Sequence, residues 1–215
     1  TKNEVSQDSL LTLSYFQIDD YLTCPLKYRY VHILHITIIE HHTVIYGKAM
    51  HEAVSYYLRL KKEGIKIAPD EIIKKFKEIF QPEGFLAIEH QQMRMEIGQK
   101  ALLRFYYDEE KTNKIPTFVE KDFSFILNNY RIIGRFDRID IEEDGRAVII
   151  DYKSSEVNKQ KDADRKAKDS FQLKLYSMAY KNIYKEIPKA VRLYFLESAL
   201  IGEAKIKEED FKKIE

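Results

Sequence analysis

Three ionisable residues are spaced so that they could do hydrolytic chemistry together: Asp137, and the pair Asp151 and Lys153. The stretch from Gly134 to Lys153 reads as two strands joined by a tight turn. Ile133, Asp137, Ile139 and Ile141 share one parity, and Ala147, Ile149, Asp151 and Lys153 share another. Strand side chains alternate faces, so Asp151 and Lys153 point to one side of their strand. Glu143-Asp144-Gly145 supplies turn residues, which lets the preceding strand bring Asp137 beside them. Two carboxylates and an ammonium on adjacent strands make a seat for a divalent cation and an activated water. Oxygen ligands suit Mg²⁺ or Mn²⁺, and one imidazole in the set, His51, tilts the preference toward Mn²⁺. Cleaving a phosphodiester needs a nucleophilic water, relief of the extra negative charge and a proton for the leaving oxygen. A cation held by Asp137 and Asp151 can serve the first two needs. Lys153, a point charge beside it, can orient the water or neutralise the phosphate.

The elements around this centre follow from pattern. Residues 1–13 read as a tail, and Ser14 with Gln17 forms a capping box that opens a helix. Pro25 ends that helix and starts another, in which Tyr28 and Tyr30 alternate with Lys27, Arg29 and His32. Those aromatics suit core packing or, as a basic aromatic lip, stacking on single-stranded nucleic acid. Residues 36–46 read as a connector in which His41 and His42 are solvated. A helix opens at Gly47, carries His51 four residues on and stops at Gly64. Two further helices follow, from Pro69 and from about Ile88. At Pro116 the period changes to strand, and Asn128-Asn129 marks a hairpin turn. Glu120 lies in the first of these strands, as an edge acid or as a third carboxylate near the site. Residues 154–169 are polar and of mixed charge, which fits a mobile loop that is either a solvated linker or a flap touching phosphates. Ser170 to Tyr184 is helical, with Gln172 and Tyr176 on one face. A strand over Ala190 to Leu196, a short strand and the start of a helix close the chain.

Bulk composition narrows the function classes. With 44% hydrophobic and 33% charged residues, the chain has a globular rather than a disordered balance. A net charge of +1 gives no global basic field, so nucleic-acid binding would rest on a local patch. The single cysteine, Cys24, excludes an internal disulfide and a metal site built from several cysteines, and fits a reducing cytoplasm. No apolar run is long enough for a membrane span. The start, Thr1-Lys2-Asn3-Glu4, has neither a signal-peptide pattern nor an initiator Met, which fits a processed protein or, the favoured reading, a domain excised from a longer chain.

Gly134-x-x-Asp137 followed by Asp151-Tyr152-Lys153 resembles the PD-(D/E)xK nuclease core. The segment from Leu13-Ser14-Tyr15 to Cys24-Pro25-Leu26-Lys27-Tyr28 is similar to the opening of RecB-type nuclease domains. Gly47-x-x-x-His51 is similar to their histidine motif, and Gln172-x-x-x-Tyr176 to their downstream helix motif. The resemblance spans residue 13 to about residue 198. It implies a restriction-endonuclease-like α/β fold: a central mixed sheet with a three-strand antiparallel meander, flanked by helices, plus an N-terminal helical subdomain. The corresponding organisation is a single nuclease domain over residues 14–215, mainly helical to 115 and catalytic α/β from 116. His51, Asp137, Asp151 and the Tyr152 backbone carbonyl would hold Mg²⁺ or Mn²⁺. Lys153 would be the catalytic lysine, Gln172 and Tyr176 would position substrate or neighbouring catalytic groups, and Glu120 would be an additional acid. Phe136 stands where the superfamily's motif name has Pro. Some relatives carry a four-cysteine iron–sulfur cluster whose first ligand lies near Cys24; with no other cysteine, no such cluster is expected, and Cys24 is expected as a small packed residue.

The resemblance implies a metal-dependent deoxyribonuclease, acting on single strands or DNA ends. Its expected setting is a helicase–nuclease, with the motor in the same polypeptide or complex, working in recombination and repair in the cytoplasm or at the nucleoid. Two other classes stand against it: a non-catalytic DNA-binding or scaffolding domain that kept the fold, and a metal-binding protein without a nucleic-acid partner. Loss of Asp137, Asp151 or Lys153 would have favoured the scaffold, and all three are present.

Overall fold

The computed structural model describes residues 10–36, 41–81, 84–112 and 114–212. In order these form β1 (Leu11–Ser14), α1 (Tyr15–Thr23), α2 (Pro25–Tyr28), a π-helical turn (Arg29–Ile33), α3 (His42–Lys62), α4 (Pro69–Ile79) and α5 (Ile88–Thr112). Then follow β2 (Phe118–Leu127), β3 (Tyr130–Ile141), β4 (Ala147–Lys153), α6 (Gln160–Asp169), α7 (Phe171–Tyr184), β5 (Ala190–Phe195), β6 (Leu200–Ala204) and α8 (Glu208–Phe211). The six strands make one mixed sheet, with helices on both faces and the expected β2–β3–β4 antiparallel meander at its centre. Helices α3, α4 and α5 pack with Val148, Ile150, Tyr152 and Tyr194 on one face. Helix α7 and the alanines of α6 pack with Phe136, Ile139, Ile149, Leu193 and Phe195 on the other. Coverage on both sides is why β4 runs Ala147-Val148-Ile149-Ile150 without alternating polarity.

Strand β3 positions the site. One of its edges pairs with β2 along almost its whole length. The other edge is shared: β1 pairs in parallel at Tyr130–Ile133, and β4 antiparallel at Arg138–Ile141. Between these ladders β3 has a gap on that edge, and the last three residues of β4, Asp151 to Lys153, pair with β5 but not with β3. The sheet forks there. Inside the fork the β2–β3 ladder also skips one pair, Glu120 opposite Asp137, where Glu120 adopts the left-handed backbone at φ +52°. That conformation costs a side-chain-bearing residue about 1–2 kcal/mol.

The interruption corrects the expected alternation. Before it the core side chains of β3 are Ile132 and Phe136; after it, Ile139. Strand β2 switches in step, from Phe118 to Phe123 and Phe125. Ile133 therefore does not share the core face of Ile139 and is 38% exposed. Gly134 matters because the Phe123 ring lies over it, in the space a Cβ would take.

Several other expectations change. Residues 11–13, read as tail, extend the sheet as β1; residues 1–9 lie outside the described residues. Helix α3 begins at His42, five residues before Gly47, because Ile45 and Tyr46 are buried against the helical layer. His41 is its N-cap, its ring nitrogen accepting from the Thr43 N–H, and His42 packs on Phe85 and His90 instead of lying in a solvated loop. Cys24 is exposed between α1 and α2 rather than packed. Residues 160–169 form a docked helix, not a mobile loop. Ala163 and Ala167 are fully buried, and Gly202 lets the α6 backbone lie directly on β6. Gln160 donates to the Ile201 carbonyl at 2.7 Å and Asp164 accepts from the Glu203 N–H at 3.2 Å, so α6 covers the outer edge of the sheet. Among the described residues no helix is long and apolar enough to cross a membrane.

Candidate active site

The fork collects most of the residues singled out above. Asp137 sits where β3 has lost its β4 neighbour, and its carboxylate accepts the Tyr152 N–H at 2.9 Å, replacing the missing ladder bond. His51, half-buried on α3, places Nδ1 3.4 Å from the same Asp137 oxygen. The Tyr152 backbone also lies close enough to the His51 ring to act on its titration. Glu120 lines the same narrow cleft as His51, Asp137 and Tyr152. Its carboxylate is held by Arg135 at 3.0 Å, and Arg135 also reaches Asp122 at 2.6 Å.

A second line of contacts leads away from Asp151. Lys153 Nζ lies 2.8 Å from Asp151 Oδ2, as expected for two residues on one face of β4. The same ammonium donates to Gln172 Oε1 at 2.7 Å, and Gln172 Nε2 donates to the Tyr176 hydroxyl at 2.9 Å. Gln172 and Tyr176 are one turn apart on α7, whose first turn is capped by the Ser170 side chain accepting from Leu173 N–H. Tyr176 rests on Phe123 and Phe136, which form an aromatic floor beneath the fork; Phe136, in the motif's proline position, has this packing role.

The electrostatics are those of a cluster short of positive charge. Burial, with Asp151 adding to it, pushes the Asp137 carboxyl well above the usual carboxylate range, against the Tyr152 N–H and Lys153. Burial lowers the His51 imidazole below its ordinary value, so it is held neutral despite Asp151. Burial, then Asp151 and Asp137, raises the Tyr176 phenol well above its usual range. Asp151 is 1% exposed, and its Oδ2 makes no well-directed hydrogen bond although the Lys153 ammonium is close.

The superfamily's sequence pattern covers this arrangement whole: the family model described as "PD-(D/E)XK nuclease superfamily" matches residues 12–215. The chain belongs to the PD-(D/E)XK nuclease superfamily. No curated protein matches it. A solved structure titled "Crystal structure of SSO0001" aligns with 90% of this chain and 76% of its own at 16% identity and a TM-score of 0.33, a likeness too loose to build on.

PD-(D/E)XK nucleases typically use divalent metals. The donor set here fits such an ion. Asp137 and Asp151 offer hard oxygens, the orphaned Asp151 Oδ2 lacks a well-directed partner, and the His51 ring is neutral, as a ligand must be. The side chains are not a ready-made cage: among the described residues no three of His, Cys, Asp and Glu stand in ligating arrangement. His51 closes on Asp137, while Asp151 turns to Lys153.

Sequence reasoning missed Arg135, which holds Glu120, and Asp122, which pairs with Arg135. The signal was present, because a two-residue turn at Asn128-Asn129 sets Asp122 opposite Arg135 and Glu120 opposite Asp137. It also missed Tyr15, close enough to Asp151 for that carboxylate to act on its phenol.

Proposed function

We propose that this chain is a metal-dependent deoxyribonuclease that hydrolyses phosphodiester bonds at the sheet fork. The observation that supports it most is the unbroken chain Asp151–Lys153–Gln172–Tyr176, set beside Asp137 and His51 within a PD-(D/E)XK chain. In this reading His51, Asp137, Asp151 and the Tyr152 carbonyl hold Mg²⁺ or Mn²⁺. The ion's chemistry is to lower the pKa of water and to offset charge on the phosphate. Lys153 supplies a positive charge to a non-bridging phosphate oxygen and aligns the attacking water. Gln172 fixes the Lys153 ammonium by accepting its hydrogen bond, and Tyr176, kept neutral by burial, fixes the Gln172 amide. Glu120 is an additional acid whose carboxylate Arg135 holds at the rim of the cleft.

The motif order that resembles RecB-type domains extends the proposal. The chain would be one nuclease domain over residues 14–215, fed with single strands or DNA ends by a helicase motor in the same polypeptide or complex. Its setting would be recombination and repair in the cytoplasm or at the nucleoid.

The test is incubation with labelled single- and double-stranded DNA in Mg²⁺, in Mn²⁺ and in chelator, beside Asp151→Ala and Lys153→Ala. Cleavage that needs metal and disappears in both variants is the expected result. Binding without cleavage under every metal would overturn the reading and leave a DNA-binding scaffold.

A further inference from the structure

Tyr15 and Phe16 open α1, directly after β1 has placed Ser14 opposite Ile133 of β3. The Tyr15 ring stacks on Phe171 with centroids 6.2 Å apart and planes 30° from parallel. Phe171 immediately precedes Gln172, the residue that holds Lys153. Phe16 meets Tyr15 edge-on at 5.4 Å. The three rings form a short ladder that leads from the Lys153–Gln172 contact to the surface. Its middle ring, Tyr15, is half-buried on the same core as Phe136 and Tyr176. There burial, Asp19 and Asp151 push the Tyr15 phenol up to about 12, so that ring is neutral. Its outer end, Phe16, is 69% exposed.

The charges around the ladder select what it can receive. Asp19 and Asp151 lie close enough to act on its middle ring, and they repel a phosphate chain not shielded by metal. An uncharged π face meets no such penalty. Every base offers one, but in a duplex both faces are already covered by neighbouring base pairs.

We propose that Phe16, Tyr15 and Phe171 form a stacking platform that receives an unpaired base beside the scissile phosphate, and so select single-stranded DNA. The platform presupposes the nuclease reading, adding a strand preference and the residues that impose it. Phe16 touches the base; Tyr15 and Phe171 back it and tie its position to Gln172.

The test compares wild type with Phe16→Ala and Phe16→Tyr on matched single-stranded and duplex oligonucleotides. Anisotropy reports binding and gel analysis reports metal-dependent cleavage. Phe16→Ala should weaken single-strand binding by about 5- to 100-fold and leave duplex binding unchanged, while Phe16→Tyr keeps wild-type affinity. A fluorescent adenine analogue near the cleavage position should be quenched by wild type and not by Phe16→Ala. Equal losses on both substrates, no loss on either, or a lowered melting temperature with unchanged binding would overturn the platform while wild-type cleavage leaves the nuclease reading standing. Self-association of wild type that Phe16→Ala abolishes, with DNA binding unchanged, would give the face to a second protein and equally overturn it. A wild type that neither binds nor cleaves DNA under any metal would overturn both.

Discussion

Asp137 and Arg138 are neighbours in one strand, yet their charged groups live in opposite circumstances. Arg138 points into the helical face, 2% exposed. Its guanidinium meets Glu109 at 2.8 Å, Asp140 at 2.8 Å and the Tyr152 hydroxyl at 3.4 Å, and Lys61 stands 3.6 Å from the second oxygen of Glu109. Asp137 points into the fork, where a second buried carboxylate and Glu120 add negative charge and Lys153 answers only part of it. One side pairs two cations with two carboxylates, leaving Glu109 Oε2 without a hydrogen-bond partner, and such clusters fix structure. The other keeps a deficit of positive charge at one spot, and a cation can fill it.

The comparison can be broken most sharply at Lys153 and Asp151. Lys153→Ala and Asp151→Asn should each reduce the cleavage rate about a thousandfold, read by single-turnover assay, with the far-ultraviolet dichroism unchanged. Unfolding of either variant would show that the fork is structural after all. On the opposite face the effect should be on stability. Arg138→Ala strands Glu109 and Asp140 in the core and should lower the unfolding free energy by about 3–5 kcal/mol in urea titrations. Activity at a temperature where the variant remains folded should hold near wild type.

Gln172→Ala tests the link between the site and α7. Lys153 loses an acceptor but keeps Asp151, so the maximal rate should fall about 10- to 100-fold with substrate binding little changed. Asp137→Asn gives the smallest stability change and the most direct reading of the deficit. Because the folded state raises the Asp137 carboxyl pKa, it binds that proton more tightly than the unfolded chain does. The protonated form's contribution is full below the ordinary value of about 3.9 and is lost as pH rises through the raised one. The amide mimics the protonated acid. Asp137→Asn should therefore stabilise the protein in chelator by about 1 kcal/mol at neutral pH, a gain that fades on acidification, while abolishing cleavage. A destabilised variant at neutral pH would show that the deficit is already compensated.

Much of this was legible because it is local. The Asp151/Lys153 spacing, the Gln172/Tyr176 turn and the Ser14–Gln17 capping box each depend on one element's period, and each is found as spaced. Even the Glu120–Asp137 register follows from the two-residue turn at Asn128-Asn129. What the sequence hides is where regular structure gives way. No propensity announces that β4 leaves β3 at Asp151, or that two strands exchange faces at Asp137, since both follow from tertiary packing. Helix α6 was hidden for a different reason. Its apolar stripe is only Ala163 and Ala167, too small to stand out among its charges until β6 lies beneath them.

That helix bears on how the protein avoids its neighbours. Strand β6 ends the sheet, and an uncovered terminal strand is a template on which another chain can continue the hydrogen-bonded ladder. Gln160 and Asp164 occupy groups of that strand, and they reach them only because residue 202 has no side chain. A larger residue at Gly202 would lift the helix and hand the strand's open edge to the next molecule. Its first symptom would be filaments, arising in protein whose sheet fork is still intact.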